Sequence, residues 1–137
     1  MPDPGDQLRI DALVGDFFAA FDNRNGRIPT ADGLLPLFAD KAVVAKHDNG
    51  QCALYSPAEF VAPRIALLKS GELTGFHEWE VSETTEILGS LAVRNSRYSK
   101  SGLFNAASYS GSGTKRFQLA RLSSGWKIVA LSWIDDA

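Results

Sequence analysis

The sequence predicts an α+β fold: a curved mixed or antiparallel sheet wrapped around N-terminal helices. Three observations carry that prediction. Residues 114–134 (TKRFQLARLSSGWKIVALSWI) read as two long strands joined at Ser123-Ser124-Gly125. The first alternates polar and apolar residues, and the glycine admits the left-handed turn. The second carries β-branched and aromatic side chains on both parities, as a strand covered on both faces does. Two further strand-like stretches precede this hairpin, at residues 76–87 and 91–100. Upstream of these, apolar residues recur at helical spacing.

In chain order, residues 1–5 hold two prolines and a glycine and form a loose tail. Ile10, Leu13, Val14, Phe17, Phe18 and Phe21 then fall on one helical stripe, with Arg9, Asp16 and Asp22 elsewhere on the wheel. Asn25-Gly26 ends that helix. Thr30 caps a short second helix through Leu34, Leu35, Leu37 and Phe38, limited to a turn or two by Pro36. Residues 42–48 (AVVAKHD) read as a strand closed by the turn Asn49-Gly50, which puts His47 at a strand end.

Ser56-Pro57-Ala58-Glu59 is a capping box with proline at the first helical position, so a third helix starts there. Pro63 lies inside it and removes a backbone donor, which predicts a kink. In residues 76–87, Phe76, Glu78, Glu80 and Ser82 share one parity while His77, Trp79, Val81 and Glu83 share the other. In 91–100, Ala92, Arg94, Ser96 and Tyr98 fall together. Residues 102–113, rich in serine and glycine, read as a long loop.

The chain of 137 residues fits one domain, residues 1–137. With 45% hydrophobic and 22% charged residues it has the composition of a folded globular protein. A net charge of −2, with both signs interspersed, leaves no basic footprint for nucleic acid or an anionic membrane. No apolar run reaches the length of a membrane span. The single cysteine, Cys52, and an N-terminus without a basic start and apolar core imply a reducing, cytoplasmic setting.

The segments FFAAF (17–21), LPLFADKAVV (35–44), SPAEFVAPR (56–64), GFHEWEV (75–81), the stretch from Leu88-Gly89 to Tyr98, and RFQLARLSSGWKIVALSW (116–133) together resemble the nuclear-transport-factor-2-like superfamily over nearly the whole chain. That resemblance implies a cone-shaped α+β barrel enclosing a pocket. The superfamily includes ketosteroid isomerases, scytalone dehydratase, epoxide hydrolases, SnoaL-like cyclases and domains that only bind or assemble, so the fold leaves the activity open. The close look of GFHEWEV and GWKI is to a large branch without an assigned role. No member's full catalytic set maps onto this chain. Many relatives pair through the outer face of the sheet, which implies a homodimer.

Candidate chemistry falls on a few residues. His47 and His77 are the side chains that titrate near neutrality, each either a proton shuttle or a rim and packing residue. Two histidines without a cysteine or carboxylate cluster make no metal site, and no dinucleotide, P-loop or GxSxG fingerprint calls for a cofactor or nucleophile elbow. Glu78 and Glu80 lie on one face about 7 Å apart. They act either as an acid/base pair or as structural carboxylates, solvated or ion-paired with Arg94 and Arg97 on the next strand. The preferred site joins Glu78, Tyr98 and His47 as catalytic groups with Arg94, Trp133, Phe17, Phe21 and Phe76 as ligand contacts. Its expected occupant is a small hydrophobic or aromatic molecule. Trp126 is assigned to the barrel end and Cys52 to an inert thiol.

Overall fold

A computed structural model describes residues 3–137. The expected tail at 1–5 falls partly outside the described residues; within them, Asp3 accepts from the Gly5 amide and pairs with Arg9. Helix α1 (Asp6–Ala19) buries the stripe Ile10, Leu13, Val14, Phe17 and Phe18 that its periodicity marks out. It ends a turn before Asn25 and Gly26, both at positive φ. Thr30 Oγ1 accepts from the Gly33 amide and caps α2 (Ala31–Leu34), after which Pro36 sits in a tight turn, Leu35–Leu37.

Strand β1 (Phe38–Asp48) starts four residues earlier than expected, so Phe38 belongs to the sheet and not to the helix. The turn Asn49-Gly50, both residues at positive φ, returns the chain into a short strand β2 (Gln51–Tyr55) that the sequence reading left without an assignment. The capping box forms as written: Ser56 accepts from the Glu59 amide, and the Glu59 carboxylate accepts from the Ser56 amide. Helix α3 (Pro57–Lys69) continues through Pro63, and the Arg64 guanidinium donates to the Phe60 carbonyl one turn back.

The remaining chain is a meander of β3 (Leu73–Leu88), β4 (Leu91–Phe104), β5 (Ala107–Leu122) and β6 (Gly125–Asp135). The sheet order is β2-β1-β6-β5-β4-β3, antiparallel throughout except for the parallel β1–β6 pair. The 102–113 loop is not a loop. Asn105 and Ala106, at φ 49° and 65°, make a two-residue turn, and the serine- and glycine-rich residues on either side pair across it. At Gly102 a side chain would lie 3.0 Å from the Phe76 Cα and the Thr74 carbonyl, so its small size lets β3 and β4 approach.

Register shifts in β3–β4 and β5–β6 bend the sheet. One falls at Val81. Glu80 pairs with Tyr98 but Ser82 pairs with Arg97, so Ser82 leaves the face of Glu78 and Glu80 that strict alternation assigns to it. The helices lie in the concavity, and α1 fills its narrow part with Phe17 in edge contact with Phe18, Phe21 and Phe117. Trp126 closes that end: its indole donates to the fully buried Asp6, which also accepts from Arg121.

Candidate active site

Alternation along the strands decides what faces the open part of the cone. Cross-strand register sets Tyr98, Gly113 and Asp135 in one row and Ser96, Lys115, Trp133 and Lys46 in the next. Glu78 pairs with Lys100 at the edge. The opposite wall is a stripe of α3, Phe60, Pro63, Arg64, Leu67 and Leu68, at the spacing of one helical face. Phe21, Leu73 and Phe76 close the inner end and Tyr109 the outer. Asn23 fixes that corner by donating to the Leu68 and Leu73 carbonyls and accepting from the Phe76 amide at 2.7 Å. Between these walls lies a cavity of about 310 Å³.

The cavity is apolar in frame and charged in detail. Lys46, Arg64, Lys100 and Lys115 face Glu78 and Asp135 across it, four cationic groups against two acidic ones. Lys115 is 5% exposed, with its Nζ 4.0 Å from the centre of the Tyr98 ring, 4.7 Å from that of Trp133 and 3.6 Å from Glu78 Oε1. Burial lowers its pKa from the ordinary lysine value, against the opposing pull of Glu78 and Asp135. Glu78 Oε1 is buried and makes no hydrogen bond within the protein. Arg64 lies 4.2 Å over Phe60 and 5.2 Å from Trp133 and forms no ion pair among the described residues; burial lowers its pKa too.

Tyr98 donates to Asp135. Burial first, then this bond, push its hydroxyl far above the ordinary tyrosine range, so it stays a proton-bearing donor. Burial also raises Asp135, but Tyr98, Lys100 and Lys115 outweigh that and hold it below the usual carboxylate value. Lys100, 3.5 Å from Asp135, is raised by that partner against its own burial. Gly113 makes the Tyr98–Asp135 link possible: a Cβ there would stand 2.7 Å from the Tyr98 oxygen and 2.4 Å from the Ile134 carbonyl.

Of the residues nominated from sequence, the structure brings Glu78, Tyr98, Trp133, Phe21 and Phe76 to this cavity. It separates three others from it. His47 follows Lys46 on β1, so alternation sends it to the outer face, exposed beside Cys52. Phe17 is fully buried in the aromatic core. Arg94 is committed elsewhere, with Nη2 and Nε bonding both Glu80 oxygens at 2.6 and 3.1 Å and Nη1 bonding Asp11 at 2.6 Å. The two glutamates therefore divide: Glu80 is an ion-pair partner, Glu78 a cavity wall. Arg97 pairs with Asp136 instead. His77 stacks on Trp79 at 4.5 Å.

Lys115, Asp135, Lys46, Lys100 and Arg64 were not singled out from sequence. Four of them carried a signal: Lys115 shares the parity of Phe117 and Leu119, Asp135 that of Leu131 and Trp133, Lys46 that of Val44, and Arg64 stands four residues from both Phe60 and Leu68. A charged residue in an apolar register marks a lined cavity, as at Lys115, or a closed ion cluster, as at Arg94. Among the described residues no three histidine, cysteine, aspartate or glutamate side chains are grouped to hold a metal ion.

An α+β cone with a helical wall and an open, charged mouth is the class of fold these elements define. More particularly, the chain has the nuclear-transport-factor-2-like fold. A nuclear-transport-factor-2-like protein with a cystatin-like fold from Novosphingobium aromaticivorans superposes with a TM-score of 0.72 and 17% identity, over 95% of this chain and 81% of that one. A hexachlorocyclohexane dehydrochlorinase (LinA Type2) gives 0.77 and 14%, over 96% and 85%. A protein described provisionally as an aromatic ring hydroxylase, also from Novosphingobium aromaticivorans, gives 0.78 and 16%, over 100% and 93%. At these identities the likeness is one of fold. No family model matches the sequence, and no curated protein matches it.

Proposed function

We propose that the cavity binds a small molecule with a flat apolar body and an anionic group, and that Glu78 moves a proton on it. The observation that supports this is the excess of cationic groups in an aromatic frame: Lys100 and Lys115 are partly offset by Asp135 and Glu78, while Arg64 and Lys46 have no carboxylate within ion-pair distance among the described residues. An anion entering between aromatic rings satisfies those charges where water is scarce. The edge-to-face pair Trp133 and Phe60 gives that space an aromatic border.

Glu78 is the general base or acid of this reading, and Tyr98, whose proton is held by Asp135, lines the cavity beside it. Proton removal and return at one carboxyl is common to isomerases, dehydratases, cyclases and hydrolases that need no cofactor. Two of the similar folds carry enzyme descriptions, which favours catalysis only at the level of fold. The single exposed Cys52 suits a reducing cytoplasmic setting.

The test is a tryptophan-fluorescence titration with cinnamate, cinnamamide and cinnamyl alcohol. Cinnamate should bind about tenfold tighter than its neutral analogues, the worth of one charge-assisted bond. Equal affinities, or no response to any of the three, overturn the reading. Glu78→Gln should abolish turnover of any substrate so found.

A second reading is assembly. The outer sheet face exposes Trp79, Val93, Val43 and Ile134, apolar groups on the side away from the helices. We infer that a second copy of the chain covers them. Light scattering that returns the monomer mass at high concentration removes this reading.

A further inference from the structure

We infer that Lys115 is a nucleophile that forms an imine with a carbonyl group on the bound anion, so that the ligand class of this cavity is a small keto acid with an apolar tail. The inference rests on the carboxylate-binding reading above and adds a covalent role to a residue which that reading uses only for charge.

The geometry points to it in three ways. Lys115 is the most enclosed of the four cavity cations, and its amine lies between the Tyr98 and Trp133 rings, not in solvent. Lys115 is within ion-pair reach of Glu78 but makes no hydrogen bond to it. Here the amine stands 3.6 Å away and the facing Oε1 is left without a partner, which leaves room at both groups for a third participant. Finally, the groups that face the amine are arranged as an imine site requires. Arg64 from α3, Lys46 from β1 and Lys100 from β4 are placed to hold a carboxylate and disfavour a further positive charge on Lys115. Glu78 on β3 and Asp135 on β6 supply carboxyl groups, and Tyr98 supplies a hydroxyl. The lowered lysine pKa agrees with this surrounding but is not needed for the geometry.

The step balances without an added redox partner. The neutral amine attacks the carbonyl carbon, the carbon–oxygen π pair moves to oxygen, and Glu78 takes the proton lost by nitrogen and returns it to that oxygen. The same carboxyl then takes the remaining nitrogen proton and passes it to this hydroxyl, which leaves as water while the nitrogen pair closes the carbon–nitrogen double bond. The imine then serves as an electron sink for proton removal at the adjacent carbon, the chemistry Glu78 is placed to perform.

Phenylpyruvate with sodium cyanoborohydride tests this on the intact protein, with phenyllactate as the analogue that lacks the carbonyl. Wild type should gain the mass of the keto acid less one oxygen atom, on the peptide carrying Lys115. At neutral pH that labelling should exceed labelling of the exposed Lys41 and Lys69 by about tenfold or more, because the cavity holds the carbonyl against this one amine. Excess phenyllactate should suppress it. Lys115→Arg, which keeps the charge, and Lys115→Met, which keeps the volume, should both lose the label while retaining the wild-type circular dichroism. If phenyllactate and phenylpyruvate quench tryptophan emission but Lys115 stays unmodified, the imine falls and the binding reading stands. If neither compound binds nor labels, both fall. Modification confined to Lys46 or Lys100 also overturns the assignment.

Discussion

Gly113→Ala tests how the cavity floor is built. The residue lies in the row Tyr98–Gly113–Asp135, and the tyrosine hydroxyl passes over it to reach the aspartate. A methyl group there collides with both the Ile134 carbonyl and the Tyr98 oxygen, so β6 and the tyrosine ring must both give way. Displacing the ring forfeits a hydrogen bond to a charged acceptor, about 1.5–3 kcal/mol. Forcing the strands apart adds about 1–3 kcal/mol of overpacking. Alanine returns about 0.5–1 kcal/mol by restricting the unfolded chain. The net loss is about 1.5–5.5 kcal/mol, read as a lower urea midpoint at unchanged slope. For a chain of this length the melting temperature falls by roughly 5–20 °C. Repeating the substitution in a Tyr98→Phe background separates the parts, because the hydrogen-bond share has already gone and the cost should drop by about 1.5–3 kcal/mol. A loss under about 0.5 kcal/mol, or an identical cost in both backgrounds, refutes the role given to Gly113.

Two further predictions concern the buried charges. Arg94→Met leaves Glu80 without its bidentate partner and should cost about 3 kcal/mol in urea unfolding; a neutral result would mean that the Arg94–Glu80–Asp11 cluster contributes nothing net. For Lys115, the folded-state pKa lies below the ordinary value of 10.5, so between the two the unfolded chain binds more protons and stability rises with pH. The difference in unfolding free energy between wild type and Lys115→Met should therefore shift in favour of wild type as pH is raised from about 7 to 10. A flat or falling difference contradicts burial as the dominant influence on that amine.

What could be read from the residues and what could not follows the range of the interactions involved. Helix α1, the Ser56–Glu59 capping box and the last hairpin are set by neighbours within a few positions, and the structure has them near where periodicity and capping chemistry put them. The 102–113 stretch was misread because glycine and serine weaken a strand signal without forbidding pairing, and two residues at positive φ suffice to turn the chain. The bulge at Val81 depends on the partner strand and has no local mark, so Ser82 was set on the wrong face.

The site divides along the same line. Glu78 and Tyr98 were nominated from their parity, and both reach the cavity. Arg94 shares that face, yet α1 brings Asp11 over it and closes the cluster, a contact across 83 positions that no strand pattern encodes. Lys115 was passed over because a lysine on a strand ordinarily means solvent. Only its register with Phe117 and Leu119 argued otherwise.

The parallel pairing of β1 with β6 and the bond from Trp126 to Asp6, across 120 positions, have a consequence for synthesis. The first helix and the first strand emerge from the ribosome long before the strand that covers them exists. Until β6 has emerged, the Phe17 cluster has only part of its packing and β1 keeps one bare edge. A stop codon ahead of β6 yields a sticky, protease-sensitive fragment in place of a smaller version of the same protein.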